Sequence, residues 1–208
     1  MTTSEPAATG PLRYVALGDS YTIGVSVDEA ERWPNQLVGR LRGTAPLALA
    51  ANLGVNRYTS GDLIADELPR VGPLAAGFVS VQIGVNDVVQ GVAEGRYLGN
   101  VRVILDELLQ RLAATRIVTV ATPDYTVTPQ GARFGNPQQQ ARAIVAINAT
   151  LASQAHVRGI AFVDIHDISL LAAGDRSLVA RDGLHPSGPQ YARWVDRIAP
   201  VVGQLLGR

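Results

Sequence analysis

A serine near one end of the chain and a histidine near the other could together carry out nucleophilic chemistry. Ser20 follows Gly18 and Asp19, and His185 stands three positions after Asp182. A serine hydroxyl needs a base to take its proton at neutral pH, and a third group usually orients that base. On a tight turn, the Asp182 carboxylate can reach one imidazole nitrogen while the other nitrogen faces outward. The spacing predicts a nucleophile, a base and an orienting carboxylate.

These short motifs also have ordinary structural interpretations. Gly, Asp and Ser all favour turns, and His185 could be a surface histidine that precedes a helix. His166 falls near the same edge of the predicted sheet and is an alternative base. His156 comes late in a predicted helix, where we expect an exposed, structural side chain.

Acyl transfer also needs hydrogen-bond donors that face the developing oxyanion. The side-chain amide of Asn86 is one candidate, and the backbone N–H of Ser20 is another. The loop after the second predicted strand could supply a third N–H. Asn86 could equally belong to an ordinary Gly-Val-Asn-Asp turn.

Apolar runs and helical stripes predict the elements that position these residues. Strands are predicted over 14–17, 46–52, 78–83, 117–121 and 160–163. Helices are predicted over 33–41, from Thr59 or Ser60 to before Pro69, along a stripe from 98 to 112, from Pro137, and after a capping box at 187–190. Strands that alternate with helices indicate a parallel sheet. We predict an α/β fold, a three-layer α/β/α sandwich around about five strands.

In such a sheet, ligands bind at the carboxyl ends of the strands. Ser20, the loop after residue 52, Asn86, Asp182 and His185 all fall at that edge. The segment 122–136 has no periodicity and is long for a connection, which is typical of a lid or binding loop. The polar residues are therefore expected to converge on one site.

Composition excludes several other functions. The 208 residues have zero net charge, which gives no basis for binding nucleic acid or an anionic membrane. The absence of Lys and Cys excludes Schiff-base, Ser-Lys and thiol chemistry. No motif indicates a metal or a nucleotide cofactor. We expect residues 1–10 to form a disordered tail, residues 11–208 to form one domain, and the protein to be cytoplasmic without stable membrane association. The sequence does not predict an oligomeric state.

Four motifs in order resemble the SGNH (GDSL-type) hydrolase family. They are Gly18-Asp19-Ser20-Tyr21, the Asn52 loop, Gly84-Val85-Asn86-Asp87 and Asp182-Gly183-Leu184-His185. The resemblance implies a flavodoxin-like sheet and a serine esterase that needs no cofactor. It implies Ser20 as nucleophile, His185 as base, Asp182 as its orienter, and the Ser20 N–H and Asn86 as oxyanion donors. Asp19, Tyr21, Gly54 and Leu184 are assigned to substrate binding.

One position departs from the family pattern. Arg57 stands where the family usually has a glycine whose N–H is the third oxyanion donor. Arg57 keeps an N–H, so donation can survive, but a long side chain is added at the mouth of the site. A positive φ at this position would strain the backbone of any residue other than glycine. Gly54 is the alternative third donor.

We therefore expect a hydrolase that acts on small esters, most simply with short acyl chains, because the chain is compact and has no apolar cap. Related chemistry is left open by the sequence. The same residues could serve an acyltransferase or a deacylase of carbohydrates, lysophospholipids or thioesters. The same fold could also belong to a non-catalytic binding protein whose site is impaired by Arg57.

Overall fold

Five parallel strands form one sheet in the order β2-β1-β3-β4-β5. The computed structural model describes residues 10–207, so the predicted tail lies outside the described residues except for Gly10. The strands are β1 (Leu12–Gly18), β2 (Leu47–Asn52), β3 (Phe78–Gln82), β4 (Ile117–Val120) and β5 (Ala161–Val163). The predicted α/β class and parallel five-stranded sheet are confirmed.

Helices alternate with the strands and cover both faces of the sheet. They are α1 (Ser20–Ile23), α2 (Trp33–Leu41), α3 (Ser60–Asp62), α4 (Val85–Val89), α5 (Glu94–Leu109), α6 (Pro137–His156), α7 (His166–Leu170) and α8 (Gly188–Leu205). Helices α2 and α8 pack together on one face, and α5 and α6 pack together on the other. This arrangement is the predicted three-layer sandwich.

Two apolar clusters hold the layers together. Trp33 of α2 and Trp194 of α8 are fully buried in one cluster, and Val101, Leu105 and Leu151 belong to the cluster on the opposite face. Burial of a large apolar side chain contributes about 1.5–3 kcal/mol to folding. The central strand β3 and residues 14–17 of β1 are buried on both faces because helices cover both of them, although β3 includes the polar residues Ser80 and Gln82.

Two helix ends differ from the sequence prediction. The helix capped by Thr59 does not end before Pro69, because α3 continues through a π-helical turn and a 3₁₀ turn to Arg70. Pro69 lies in the first turn of the 3₁₀ segment, where a missing N–H is tolerated. At α8, Ser187 accepts from the Gln190 N–H, but the Gln190 side chain donates to Leu178 O instead of closing the capping box. None of the helices within 10–207 has the length and apolar character needed to cross a bilayer.

Candidate functional site

A cavity of about 370 Å³ opens at the carboxyl edge of the sheet. Segments that follow all five strands contribute to its wall. The lining residues are Ser20, Tyr21, Asn56, Arg57, Val85, Asn86, Val89, Gln90, Tyr125, Phe134, Leu184 and His185. Ser20, Arg57, Asn86 and His185, which the sequence predicted would converge, thus share one cavity.

The predicted nucleophile begins a short helix immediately after β1. Asp19 caps α1, and its carboxylate accepts the N–H of Tyr21 at 3.0 Å. The Ser20 N–H then has no acceptor within residues 10–207, as expected for the first residue of a helix. Ser20 therefore offers both a hydroxyl and a backbone donor to the same cavity.

The aspartate and the histidine form a directly bonded pair in the loop before α8. The Nδ1 atom of His185 lies 2.6 Å from Oδ2 of Asp182. The other carboxylate oxygen, Oδ1, accepts the N–H groups of Leu184 at 2.9 Å and of His185 at 3.0 Å. These bonds fix the ring, so that Nε2 is the nitrogen left for proton transfer.

A fourth hydrogen bond to Asp182 was not predicted from the sequence. The hydroxyl of Ser26 donates to Asp182 Oδ2 at 2.8 Å, from the loop that follows α1. Ser26 has a φ of +68°, in the left-handed region that residues with a Cβ seldom adopt. No sequence signal marks this serine, because the contact joins positions far apart in the chain.

The ionisation of Asp182 follows from these contacts. Partial burial acts to raise the pKa of Asp182, but the hydrogen bonds from His185, Leu184 and Ser26 outweigh it and lower that pKa to about 2. The carboxylate is therefore charged at every pH at which His185 could act as a base.

Ser20 and His185 face the same cavity from different ends of the chain. Both are almost completely buried, and the His185 ring packs against Tyr21 with 5.5 Å between ring centroids. Their side chains are not hydrogen-bonded to each other here. Such bonds are often long in unliganded sites and shorten when substrate is present.

Two further donors flank Ser20. Asn86 donates one amide N–H to Tyr58 O at 3.0 Å, which fixes the amide orientation and leaves its second N–H free to act. The N–H of Arg57 has no acceptor within residues 10–207, and its carbonyl accepts from Gln90 Nε2 at 2.9 Å. These groups could hold an oxyanion together with the Ser20 N–H.

Arg57 retains the backbone conformation suited to glycine. Its φ is +73°, which lies in the left-handed region that glycine adopts without strain. A left-handed residue with a Cβ costs about 1–2 kcal/mol. The sequence predicts a strained backbone at this position if its φ is positive, and the structure has that positive φ.

The four residues assigned to substrate binding fall in different places. Tyr21 and Leu184 line the cavity, whereas Asp19 and Gly54 do not. Asp19 is buried, and burial raises the pKa of its carboxyl to about 7. Gly54 lies against the turn that carries Ser20, where a Cβ would come within 2.8 Å of Asp19 O and Ile23 N. The contacts of Asp19 and Gly54 support the position of Ser20.

A buried glutamate behind the Ser20 turn was also missed by sequence reasoning. Glu67 Oε2 accepts the N–H of Gly18 at 2.8 Å, and burial raises the pKa of Glu67 to about 9. A single glutamate in a helical segment gives no sequence sign of burial. The protonated side chain supports the end of β1, directly before the Ser20 turn.

The long segment after β4 forms one wall of the cavity. Tyr125 and Phe134 pack edge to face, with 5.6 Å between ring centroids, and both line the cavity. The Gln130 N–H donates to Gly183 O at 3.0 Å, which ties this segment to the His185 loop. The prediction that residues 122–136 contribute to a site therefore agrees with the structure.

The other two histidines lie outside the cavity. His156 is exposed at the end of α6, as predicted. His166 Nε2 lies 3.7 Å from Asp124 Oδ2, and His166 lines a separate shallow groove beside α6. The alternative base is therefore not positioned beside Ser20.

No group of three or more His, Cys, Asp or Glu side chains within residues 10–207 is arranged to hold a metal ion. The chemistry available in the cavity is that of a hydroxyl, an imidazole, backbone and amide hydrogen-bond donors, and the Arg57 guanidinium.

Comparison with known proteins agrees with this geometry. The sequence profile of the GDSL-like Lipase/Acylhydrolase family matches residues 16–193, which include all four motifs. The chain belongs to this family. Its GDSL motif is Gly18-Asp19-Ser20-Tyr21, so the usual final leucine is a tyrosine here. A search of the curated proteins finds no match.

Solved structures of other proteins share the fold. An acetyl xylan esterase, Axe2 from Geobacillus stearothermophilus (W215I variant), is 19% identical with a TM-score of 0.73, over 92% of this chain and 94% of that one. TesA is 18% identical with a TM-score of 0.71, over 93% of this chain and 99% of that one. Variants of Axe2 described as catalytic mutants replace a serine, an aspartate and a histidine, the last two being three positions apart.

Proposed function

We propose that this GDSL hydrolase is a serine esterase that cleaves carboxylic esters through an acyl-enzyme. The observation that carries the proposal is the shared cavity, in which Ser20 and His185 face the same space while Asp182 binds His185 Nδ1 at 2.6 Å. The spacing of the aspartate and histidine replaced in the Axe2 catalytic mutants is the same as that of Asp182 and His185.

In this mechanism Ser20 Oγ attacks the ester carbonyl as His185 Nε2 takes its proton. The oxyanion receives hydrogen bonds from the N–H groups of Ser20 and Arg57 and from the Asn86 amide. His185 returns the proton to the departing alkoxide, which leaves Ser20 acylated. Water then attacks the acyl carbonyl as His185 removes its proton, and His185 returns that proton to Ser20 Oγ as the acid is released.

The size of the cavity supports small substrates. About 370 Å³ is near the lower end of the range for small-molecule sites, and Val85, Val89, Tyr125, Phe134 and Leu184 provide apolar contacts. We propose short acyl chains. A series of 4-nitrophenyl esters from acetate to dodecanoate should give kcat/KM values that fall beyond the shorter chains, and a preference for the longest esters would refute this.

The nucleophile is tested by Ser20→Ala, with Ser153→Ala on the exposed face of α6 as the control. Hydrolysis of 4-nitrophenyl acetate and labelling by a fluorophosphonate probe should both be lost in Ser20→Ala and kept in Ser153→Ala. Circular dichroism should show that both variants are folded. Unchanged turnover in Ser20→Ala would exclude the proposed nucleophile.

Two of the alternatives give different outcomes in the same assays. An acyltransferase would transfer the acyl group to an added alcohol in water, which product analysis detects. A non-catalytic binding protein would show neither turnover nor Ser20-dependent labelling. The cytoplasmic location and the single-domain organisation stay predictions.

A further inference from the structure

The catalytic cavity has an unusual charge distribution. Of the residues within 10–207 that line it, Arg57 is the one with a permanent charge, and none of them is acidic. The nearby carboxylate of Asp182 lies behind His185 and is already occupied by four hydrogen bonds. Among residues 10–207, Arg57 is therefore the permanently charged group that the cavity wall itself presents to an incoming substrate.

The Arg57 side chain makes no polar contact that would stabilise the described part of the fold. It is exposed, and among residues 10–207 its guanidinium makes neither an ion pair nor a hydrogen bond. The backbone, by contrast, is held in place through the bond from Gln90 to the Arg57 carbonyl. The side chain thus extends from a fixed backbone at the cavity wall, and within residues 10–207 the guanidinium donors are available.

The backbone strain at Arg57 points to a use for this side chain. Glycine would adopt a φ of +73° without cost, whereas an arginine there is strained. Oxyanion donation needs only the N–H, which glycine also has. What the arginine adds is a planar cation suited to carboxylate or phosphate oxygens.

We propose that Arg57 makes this enzyme selective for esters that carry an anionic group close to the scissile carbonyl. This inference rests on the proposed esterase function and names its substrate class. The anionic oxygens would bind the guanidinium while the ester carbonyl occupies the oxyanion site formed around Ser20 and Asn86. The test distinguishes an anionic group on the acyl part of the ester from one on the alcohol part.

The test uses matched ester pairs that differ in one charge. The alcohol-side pair is 4-acetoxybenzoate and its neutral methyl ester, and the acyl-side pair is 4-nitrophenyl hydrogen adipate and 4-nitrophenyl hexanoate. The measured quantity is the ratio of kcat/KM for the anionic ester to that for the neutral ester. Because the ratio is taken within each variant, effects on oxyanion stabilisation cancel.

We expect Arg57→Met to lower this ratio by about tenfold for at least one pair, and Arg57→Lys to restore part of it. Added salt should lower the ratio for the wild-type enzyme and leave the ratio for Arg57→Met unchanged. Arg96→Met is the control, since it removes the same charge from an exposed position outside the cavity. The pair that responds identifies which part of the ester carries the anion.

A ratio that Arg57→Met leaves unchanged for both pairs would overturn the proposal. So would an equal loss in Arg96→Met, which would indicate a general effect of net charge. These results are distinct from a failure of the esterase mechanism. In that case, hydrolysis of the neutral esters would persist in Ser20→Ala.

Discussion

Ser26 and Asp182 lie 156 positions apart in the sequence, and their side chains are joined by a hydrogen bond of 2.8 Å. The bond links the loop after the Ser20 helix to the loop that carries His185. It reaches the same carboxylate oxygen that binds His185 Nδ1. We therefore propose that Ser26 is a positioning residue, which acts through Asp182 on the proposed base, His185.

Two replacements of Ser26 separate the effect of its hydroxyl on activity from the effect of its positive φ on stability. Both Ser26→Ala and Ser26→Gly should lower kcat/KM, by about three- to tenfold, because each loses one hydrogen bond to a charged group. The acid limb of the pH profile should move to higher pH, since a carboxylate without that donor holds the imidazolium proton more strongly. A merely structural role would not move that limb.

The stabilities of these two variants should differ in a defined direction. Ser26→Gly removes the backbone strain that accompanies a φ of +68°. Its free energy of unfolding, measured in urea, should exceed that of Ser26→Ala by about 1 kcal/mol. If the glycine variant is more stable than the alanine variant but has the same kcat/KM, the loss of activity is due to the missing hydroxyl and the difference in stability is due to the backbone conformation. Full activity in both variants would contradict the positioning role.

Asp182 and His185 should contribute unequally to turnover. Asp182→Asn should be less damaging than His185→Ala, because in the proposed mechanism the histidine carries the proton and the aspartate only orients and stabilises it. Steady-state kinetics on 4-nitrophenyl acetate would test this ranking, and the reverse order would contradict the assigned roles. Since the pKa of Asp182 is lowered to about 2, its ionisation should add no limb to the activity profile above pH 4.

Arg57→Gly should increase stability where Arg57→Ala does not. Glycine removes the left-handed strain, so the free energy of unfolding should rise by about 0.5–1 kcal/mol, while alanine keeps the strain. Ala75→Gly provides a matched control, because Ala75 also has a positive φ, of +47°, but lies outside the cavity. Similar stability gains in both glycine variants, measured by urea unfolding, would assign the effect to backbone conformation.

The stability of the protein should fall as pH rises, through Glu67. Burial raises the pKa of Glu67 from 4.5 to about 9, so the folded state holds a proton that the unfolded chain has already released. This contribution is fully present below about pH 4.5 and is lost as pH rises through about 9. Glu67→Gln keeps an acceptor for the Gly18 N–H but cannot ionise.

Thermal unfolding at pH 6 and pH 9 tests this expectation. The difference in Tm between the two pH values should be smaller in Glu67→Gln than in the wild-type protein. Glu94→Gln, an exposed position in the first turn of α5, should leave the difference unchanged. An unaltered difference in Glu67→Gln would show that this carboxyl does not titrate in that range.

The strands, the start of α2 and the edge of the sheet that carries the site could be predicted from the sequence, because each leaves a local pattern with one physical cause. The apolar runs of the central strands can be recognised because both faces of the sheet are covered, and Pro34 marks the start of α2 in its first turn. The positions of Ser20, Asn86 and His185 at one edge follow from parallel topology, because each one comes after a strand.

The remaining features depend on contacts between distant segments. The link from Ser26 to Asp182 and the burial of Glu67 cannot be inferred from nearby residues. Gly54 lies in a loop whose sequence suggests ligand binding. Its lack of a Cβ is instead needed for close packing against Ile23. Secondary-structure propensity and hydrophobic periodicity carry no information about contacts between segments that are distant in the sequence.

The bond between Gln130 N–H and Gly183 O has a consequence for the design of new specificities. It fastens the aromatic wall of the cavity to the loop that holds the base, and Gly183 also packs against Gln130 and Pro129. Remodelling that wall to admit bulkier esters would displace the imidazole as well. Libraries that vary residues 122–136 should therefore also vary the segment around Gly183, so that the two surfaces can adapt together.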